Sequence, residues 1–389
     1  MRFSKKLSEL IVKKSVQKKT ESKDLVWLLN LDMIEQNTGS VIEKNYVPMS
    51  EVGNSTHFFE KGTVLYSKLR PYLNKVVVAD SDGYATTELV PLKCNEELIS
   101  PHYLAYFLRS PEFLEFASNV VAGAKMPRMV MSEFWDYEIS IPTIEEQHRI
   151  LSILDKADAI RQRRQQAIAK LDELLQATFI DMFGDPIKNE KGWPKFKLEN
   201  LASNTKYSIK AGPFGSALKK EDYVANGYKI YGQEQVIRDD FEYGDYYISE
   251  EKYESLKNCA ITEGDVLISL VGTFGKISVV PKNFEEGIIN PRLMKITFDT
   301  NKISPYFAKY LLTTKQMLAV ITSFSHGGTM GIVNVGIMKN IELILPPLDL
   351  QEKFIKIMLS VFALKEKNQQ AIDSNLFESL QQKAFNGTL

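Results

Sequence analysis

Cysteine is almost absent. Cys94 and Cys259 are the only two in 389 residues, and they lie far apart. A structural zinc site needs clustered thiolate or imidazole ligands, so none is expected. Two distant thiols fit a reducing cytoplasm better than a disulfide framework. Long apolar runs are missing as well. No stretch approaches the roughly 20 residues of a membrane span, so no membrane association is expected. The opening MRFSKKLSELIVKKSVQKK scatters its charges and has no continuous apolar centre, unlike a secretory signal. There is also no excess of one charge: 48 basic residues face 49 acidic ones, a net charge of −1. That excludes a uniformly basic coat but not local patches that meet phosphates. Residues 1–23 hold one such patch, with Arg2, Lys5, Lys6, Lys13, Lys14, Lys18, Lys19 and Lys23 against Glu9 and Glu21.

Catalytic patterns are lacking too. GTFGKIS at 272–278 does not have the glycine spacing of a phosphate loop. NPR at 290–292 starts like an adenine-methylating Asn-Pro-Pro motif, but Arg292 removes the stacking geometry. Asp245, Glu250 and Lys252 sit in an acidic run that nothing marks as a nuclease centre. His57, His102, His148 and His326 have no mutual spacing for metal or triad work. The GxxG tetrapeptides at Gly212–Gly215, Gly272–Gly275 and Gly328–Gly331 lack the two-helix setting of a KH module.

What is present is written twice. IPTIEEQHRI at 141–150 returns as LPPLDLQEKF at 345–354, an offset of 204 residues. At the same offset ISPHYLAYFL (99–108) matches ISPYFAKYLL (303–312), and QQAI (165–168) recurs unchanged at 369–372. Upstream the offset slips to 202, where EKGTVLYSKL (60–69) matches TEGDVLISLV (262–271), a slip of the kind loop insertions cause. Amphipathic segments resemble one another by chance. Turn residues held at one offset (Ser100/Ser304, Pro101/Pro305, Gly123/Gly327, Pro142/Pro346) do not, so the chain is read as a duplication.

Each copy has a mixed globular head followed by a long helix. TVLYSKL, KVVVAD, DVLISLV and KISVVP are short, β-branched and bounded by Gly, Pro or charge, which predicts strands. PHYLAYFLRSPEFLEFASNVV has Pro101 at its start and apolar residues three to four apart, which predicts a helix. After Pro142, core-compatible residues fall at 147, 150, 154, 157, 161, 164, 168, 171, 175 and 178, the stepping of a coiled-coil seam. The partner helix is expected over about 348–385, with Phe354, Met358, Val361, Ile372 and Leu376 on its seam and a register shift after about 372. Both seams are polar at the centre: Arg161 and Arg164 in one, Lys365 and Asn368 in the other. Pro142 and Pro346 are expected in the first helical turn, with the following acids complementing its N-terminus. About 36 helical residues span roughly 54 Å. Antiparallel pairing would hold two heads at opposite ends, related by a pseudo-twofold axis. That calliper suits recognition of duplex DNA, whose half-sites on one face recur about every 34 Å.

The set of FEKGTVLYSKLRPYLNKVVVA, IKAGPFGSALKKEDY, EGDVLISLVGTFGKISVV, MFGDP, WPKFKLENLA and the two Pro-to-Gln helix entries resembles the DNA-specificity subunit of type I restriction–modification systems, across essentially the whole chain. The expected class is α+β: two similar mixed α/β target-recognition domains separated by two long antiparallel helices, a coiled-coil spacer, in a pseudo-twofold internal repeat. The expected boundaries are 1–142 and 184–346 for the heads, 143–183 and 347–389 for the helices. The resemblance implies an asymmetric two-part DNA target. It also implies two methyltransferase subunits docked on the helices, and ATP-dependent restriction (translocase) subunits beyond them. S-adenosylmethionine, ATP and Mg would sit on those partners, and this chain would bind no cofactor and catalyse nothing alone. The first head has no clear GPFGS loop and begins with the lysine-rich stretch before Trp27.

Chemistry then nominates contacts. Lys68, Arg70 and Lys75, with Tyr72 between them, offer phosphate or guanine contacts. Lys210, Ser216, Lys219 and Lys220 surround a glycine-rich loop whose amides can meet a phosphate. Lys125 and Arg128 in GAKMPR, and His326 and Thr329 in SHGGTM, are nominated as base readers. Gln147, His148, Gln351 and Lys353 are nominated for partner contact. The plainer alternative for each is a solvated loop residue. Two rival functions stand beside this one: an assembly scaffold that never touches DNA, and a standalone DNA-modifying enzyme.

Overall fold

The computed structural model describes residues 2–12, 23–271, 275–324, 334–373 and 376–389. Its contacts form two compact units, Met1–Ala167 with Lys367–Leu389, and Ile168–Glu366. Each unit therefore contains one head plus parts of both long helices.

In the first unit, strand Arg2–Lys6 pairs antiparallel with Glu138–Pro142, joining the two ends of the head. Leu7 and Leu10 follow in a single buried helical turn. A four-stranded sheet runs in the order 45–48, 25–29, 83–86, 56–59. A three-stranded antiparallel sheet has Val64–Ser67 between Val76–Val78 and Leu89–Leu92. Trp27, Phe59, Leu65 and Val77 fill the core where the two sheets meet. A second core gathers Tyr66, Tyr103, Phe113 and Phe134.

The second unit repeats this plan. Lys195–Lys197 pairs with Glu342–Ile344, and Leu198–Leu201 forms the single helical turn. One sheet runs 223–224, 247–248, 228–231, 287–289; the other runs 209–211, 293–296, 266–269, 277–279. In both heads the first sheet contains one parallel pair, 25–29 with 83–86 and 228–231 with 287–289. Each such pair has a glycine at its closest approach. A Cβ on Gly83 would lie 2.7 Å from the Trp27 carbonyl oxygen, and one on Gly287 would lie 2.0 Å from that of Lys229. No side chain fits there.

The strands expected from sequence appear as Val64–Ser67, Val76–Val78, Val266–Ser269 and Ile277–Val279. The single helix expected after residue 101 is instead two, Pro101–Leu108 and Pro111–Asn119. Pro111 has no N–H to continue the ladder, and buried Ser110 caps the new helix by accepting from Phe113 N. The second head breaks at the matching place, where Thr314 accepts from Met317 N between Pro305–Thr313 and Lys315–Ser323.

The first long helix, Ile144–Phe183, has 40 residues, about 60 Å at helical rise. The second is described as Leu348–Asp373 and Leu376–Asn386. Within the first unit, Ile150 and Leu154 share a core with Ala384 and Phe385, and the Arg161 guanidinium lies 5.3 Å from the Phe377 ring. Within the second, Phe179 and Phe183 stack edge-on against Phe354, while Lys365 pairs with Asp172. Rising numbers on one helix meet falling numbers on the other, so the segments run antiparallel in each unit. The class is α+β, with a repeated mixed head and long paired helices.

Two details of the seam differ from expectation. Leu376 is 62% exposed, and Phe377, packed beside the Tyr106 ring, takes the inward place. Pro142 and Pro346 lie outside the helices. Pro142 ends the strand that pairs with Arg2, and Thr143 O accepts the first helical bond, from Gln147 N. Proline closes the strand and leaves its carbonyl free for a side chain.

Candidate nucleic-acid interface

In the first head the chain leaves strand Val64–Ser67 through a tight loop. Arg70 and Asn74 sit at φ +49° and +50°, on either side of the turn Pro71–Leu73. Pro71 is buried and anchors this turn, so Arg70 and Tyr72 project outward; Tyr72 is 49% exposed. The loop does not stand alone. Arg70 N donates to Pro127 O at 2.7 Å, and Met129 N donates to Lys68 O at 2.8 Å. These bonds seat the GAKMPR loop, itself closed by a two-residue strand pair between 121–122 and 128–129, directly beside SKLRPYLN. Lys68, Arg70, Tyr72, Lys125 and Arg128 therefore share one surface, with Lys125 and Arg70 exposed.

Arg128 is held in a fork. Its Nε lies 3.1 Å from both Glu88 carboxylate oxygens, and its Nη2 is 2.9 Å from Oε1. That hydrogen-bonded guanidinium pulls the Glu88 carboxyl below its ordinary value of 4.5. Lys75 does not belong to this surface. Its ammonium turns inward and donates to Leu31 O at 2.6 Å, beside the longer bond that this carbonyl accepts from Ile34 N.

In the second head Lys210 lies in strand Ile209–Ala211, opposite Lys295. The loop that follows is packed tightly at one end and open at the other. Gly212 is buried, and a Cβ there would fall 1.9 Å from Asn290 O. Phe214 is 73% exposed, and Ser216, Lys219 and Lys220 are exposed with it. Lys219 N donates to the Asp222 carboxylate at 2.7 Å, which fixes the turn. The loop therefore lies against the NPR turn, and this brings in residues that sequence reasoning missed. Arg292 is exposed and its Nη1 reaches Gln233 Oε1 at 3.4 Å. Gln233 is in turn held by Ser269 Oγ at 2.7 Å and by Val271 O. The available signal was positional. Arg292 immediately precedes strand Leu293–Ile296, as Glu88 precedes Leu89–Leu92. His326 and Thr329 lie outside the described residues, as does part of the GxxG at 272–275.

Of the residues nominated for partner contact, two are corrected. Gln147 and Gln351 are both fully buried. Gln147 accepts from Ser100 N at 2.9 Å and donates to Leu98 O at 2.9 Å and Pro142 O at 3.0 Å. Gln351 repeats the set with Ser304 N, Lys302 O and Pro346 O at 2.9, 3.1 and 2.8 Å. Each amide ties the start of a long helix to the helix entry of its own head. Their neighbours face out: His148 is exposed, and Lys353 is exposed with Asp349 at 3.9 Å. Exposed apolar residues also mark this helix, with Leu359, Phe362 and Leu364 at 51%, 41% and 51%. No helix among the described residues is long and apolar enough to cross a membrane.

Comparison with known proteins identifies the family of the chain. A family model described as the type I restriction modification DNA specificity domain matches residues 6–171 and again 189–374. The type I restriction enzyme MjaIX specificity subunit of Methanocaldococcus jannaschii is 22% identical over 383 residues, covering 90% of this chain and 82% of that protein. The EcoDI specificity subunit of Escherichia coli is 27% identical over 154 residues, 39% of this chain; the match spans about a third (34%) of that relative's length. A chain solved in structural work on the assembly and conformational transition of the type I R-M system superposes with a TM-score of 0.62 at 17% identity. The match covers 100% of this chain and 98% of that one.

Proposed function

The chain belongs to the type I restriction–modification DNA-specificity family, and from that membership we propose that it selects an asymmetric two-part DNA target, one part for each head. The observation that carries this reading is the same head built twice with different loops at its exposed end. Lys68, Arg70, Tyr72, Lys125 and Arg128 occupy that end in the first head. Lys210, Phe214, Ser216, Lys219, Lys220 and Arg292 occupy it in the second. Isolated lysines such as Lys219 and Lys220 suit phosphates, which position without specifying; a held guanidinium suits a base edge.

The exposed apolar residues of the second long helix support docking of methyltransferase subunits, and through them restriction subunits. Leu359 and Phe362, three residues apart, share a face of that helix. S-adenosylmethionine, ATP and Mg belong on those partners in this reading, and the chain alone neither methylates nor cleaves. The test is the methylated motif in DNA from cells that make this chain and its methyltransferase. A two-part motif is expected, and exchange of residues 1–142 for those of a relative should change one part only. A motif without two parts, or methylation by the purified chain alone, overturns the reading. A scaffold that never touches DNA would leave the partner's methylation pattern independent of this chain.

A further inference from the structure

Two guanidiniums are propped in matching places on the two heads, but they come from different segments. In the first head Arg128 belongs to the loop at 123–129 and is forked onto Glu88, the residue before strand Leu89–Leu92. In the second head the residue before the corresponding strand is Arg292. The backbone places are the same: Lys68 N donates to Glu88 O at 3.0 Å, and Leu270 N donates to Arg292 O at 2.9 Å. The position thus carries a carboxylate in one head and a guanidinium in the other.

The surroundings of Arg292 are built rather than loose. Asn290 Oδ1 accepts from Arg292 N at 2.9 Å and fixes the turn. Buried Gly212 closes on Asn290 and Pro291 so tightly that no side chain fits between. Gln233, anchored by Ser269 and Val271, offers Oε1 to one end of the guanidinium. The Arg292 side chain is exposed, and its contact to Gln233 is through one Nη only. Exposed Phe214 and Ser216 sit on the loop that leads away from Gly212. A fixed turn, an exposed guanidinium and an exposed aromatic on the neighbouring loop thus stand together.

We propose that Arg292 is the specificity-determining residue of the second head, reading a guanine edge through two N–H groups while Gln233 positions it. The proposal rests on the two-part DNA reading above. Arg→Lys separates the two kinds of contact, because lysine keeps the charge for a phosphate but loses the bidentate fork.

The experiment uses the full chain with its methyltransferase partner and compares wild type, Arg292→Lys and Arg292→Ala. The readout is methylation of a library of target variants, with the part of the motif read by the first head as internal control for folding and assembly. The expected result is that both variants lose discrimination at one base pair in one part, by about ten- to a hundredfold, while the other part keeps its sequence. If Arg292→Lys keeps the full motif while Arg292→Ala weakens all sites alike, the contact is to phosphate and the proposal falls. It falls equally if neither variant changes the motif. If wild type itself shows no two-part motif, the functional reading fails first, and that outcome is distinct from the other two. Arg292→Lys keeps the experiment decisive should the alanine variant fail to assemble.

Discussion

Replacing Gln147 by alanine removes one side chain and strands three backbone groups. Ser100 N, Leu98 O and Pro142 O all lose their partner at a site where Gln147 itself has no exposed surface. A satisfied hydrogen bond contributes about 1 kcal/mol net, so the three together predict a loss of about 3 kcal/mol. The two units need not unfold in one transition, so a local readout is cleaner than a melting curve. The Ser100 amide is that readout. Its exchange with solvent deuterium should rise about a hundredfold in Gln147→Ala, which is the same energy expressed as an opening equilibrium. Gln351→Ala should do the same to Ser304, because it makes the same three bonds. His148→Ala, one residue along and exposed, should leave Ser100 protected. A loss below about 1 kcal/mol, or unchanged Ser100 exchange, would refute the idea that this amide is the junction between head and helix.

Gly287→Ala should destabilise the second head by about 1–3 kcal/mol or more, because its Cβ meets the Lys229 backbone rather than a flexible side chain; normal stability of that variant in a denaturant series would show the strands can separate. Burial pushes the Cys94 thiol up to about 12 and raises Cys259 as well, so neither should react with iodoacetamide at pH 8 until denaturant exposes both; fast labelling of the folded chain would contradict this. Glu88 has its folded pKa depressed by Arg128. The stability it contributes is therefore complete above its ordinary value of 4.5 and is lost as pH falls through the lower folded value. Glu88→Gln should flatten acid unfolding in that window, as followed by tryptophan fluorescence, and an unaltered profile would assign the acid sensitivity elsewhere.

Much of the fold was legible because repetition amplifies weak signals. One copy of TVLYSKL is an ambiguous apolar run; two copies at matching offsets, each bounded by glycine and charge, are strands. The long helices were legible because no proline or glycine interrupts the stepping from Gln147 to Thr178. What escaped depends on contacts between segments far apart in sequence. Helical periodicity puts Gln147 on the inner stripe, but only the approach of Leu98 and Ser100 turns its amide into a fastener. Lys75 resembles its neighbours Lys68 and Arg70 in composition, yet its ammonium turns inward to the Leu31 carbonyl, a second donor there beside Ile34 N. Arg292 merely spoils a catalytic motif when read along the sequence; its setting comes from Gly212, which folds back onto the turn from 80 residues earlier in the chain.

The first long helix passes without interruption from one hydrophobic core to another, seating Ile150 and Leu154 in the first and Phe179 and Phe183 in the second. Adding one residue between those anchors would turn everything after it by about 100° about the helix axis. Seven extra residues would misalign them by only about 20°, and eleven by a similar amount in the opposite sense. Changes in the length of this helix are thus quantised: insertions of about seven or eleven residues keep the two apolar sets close to their starting alignment along the helix, and a single-residue insertion does not.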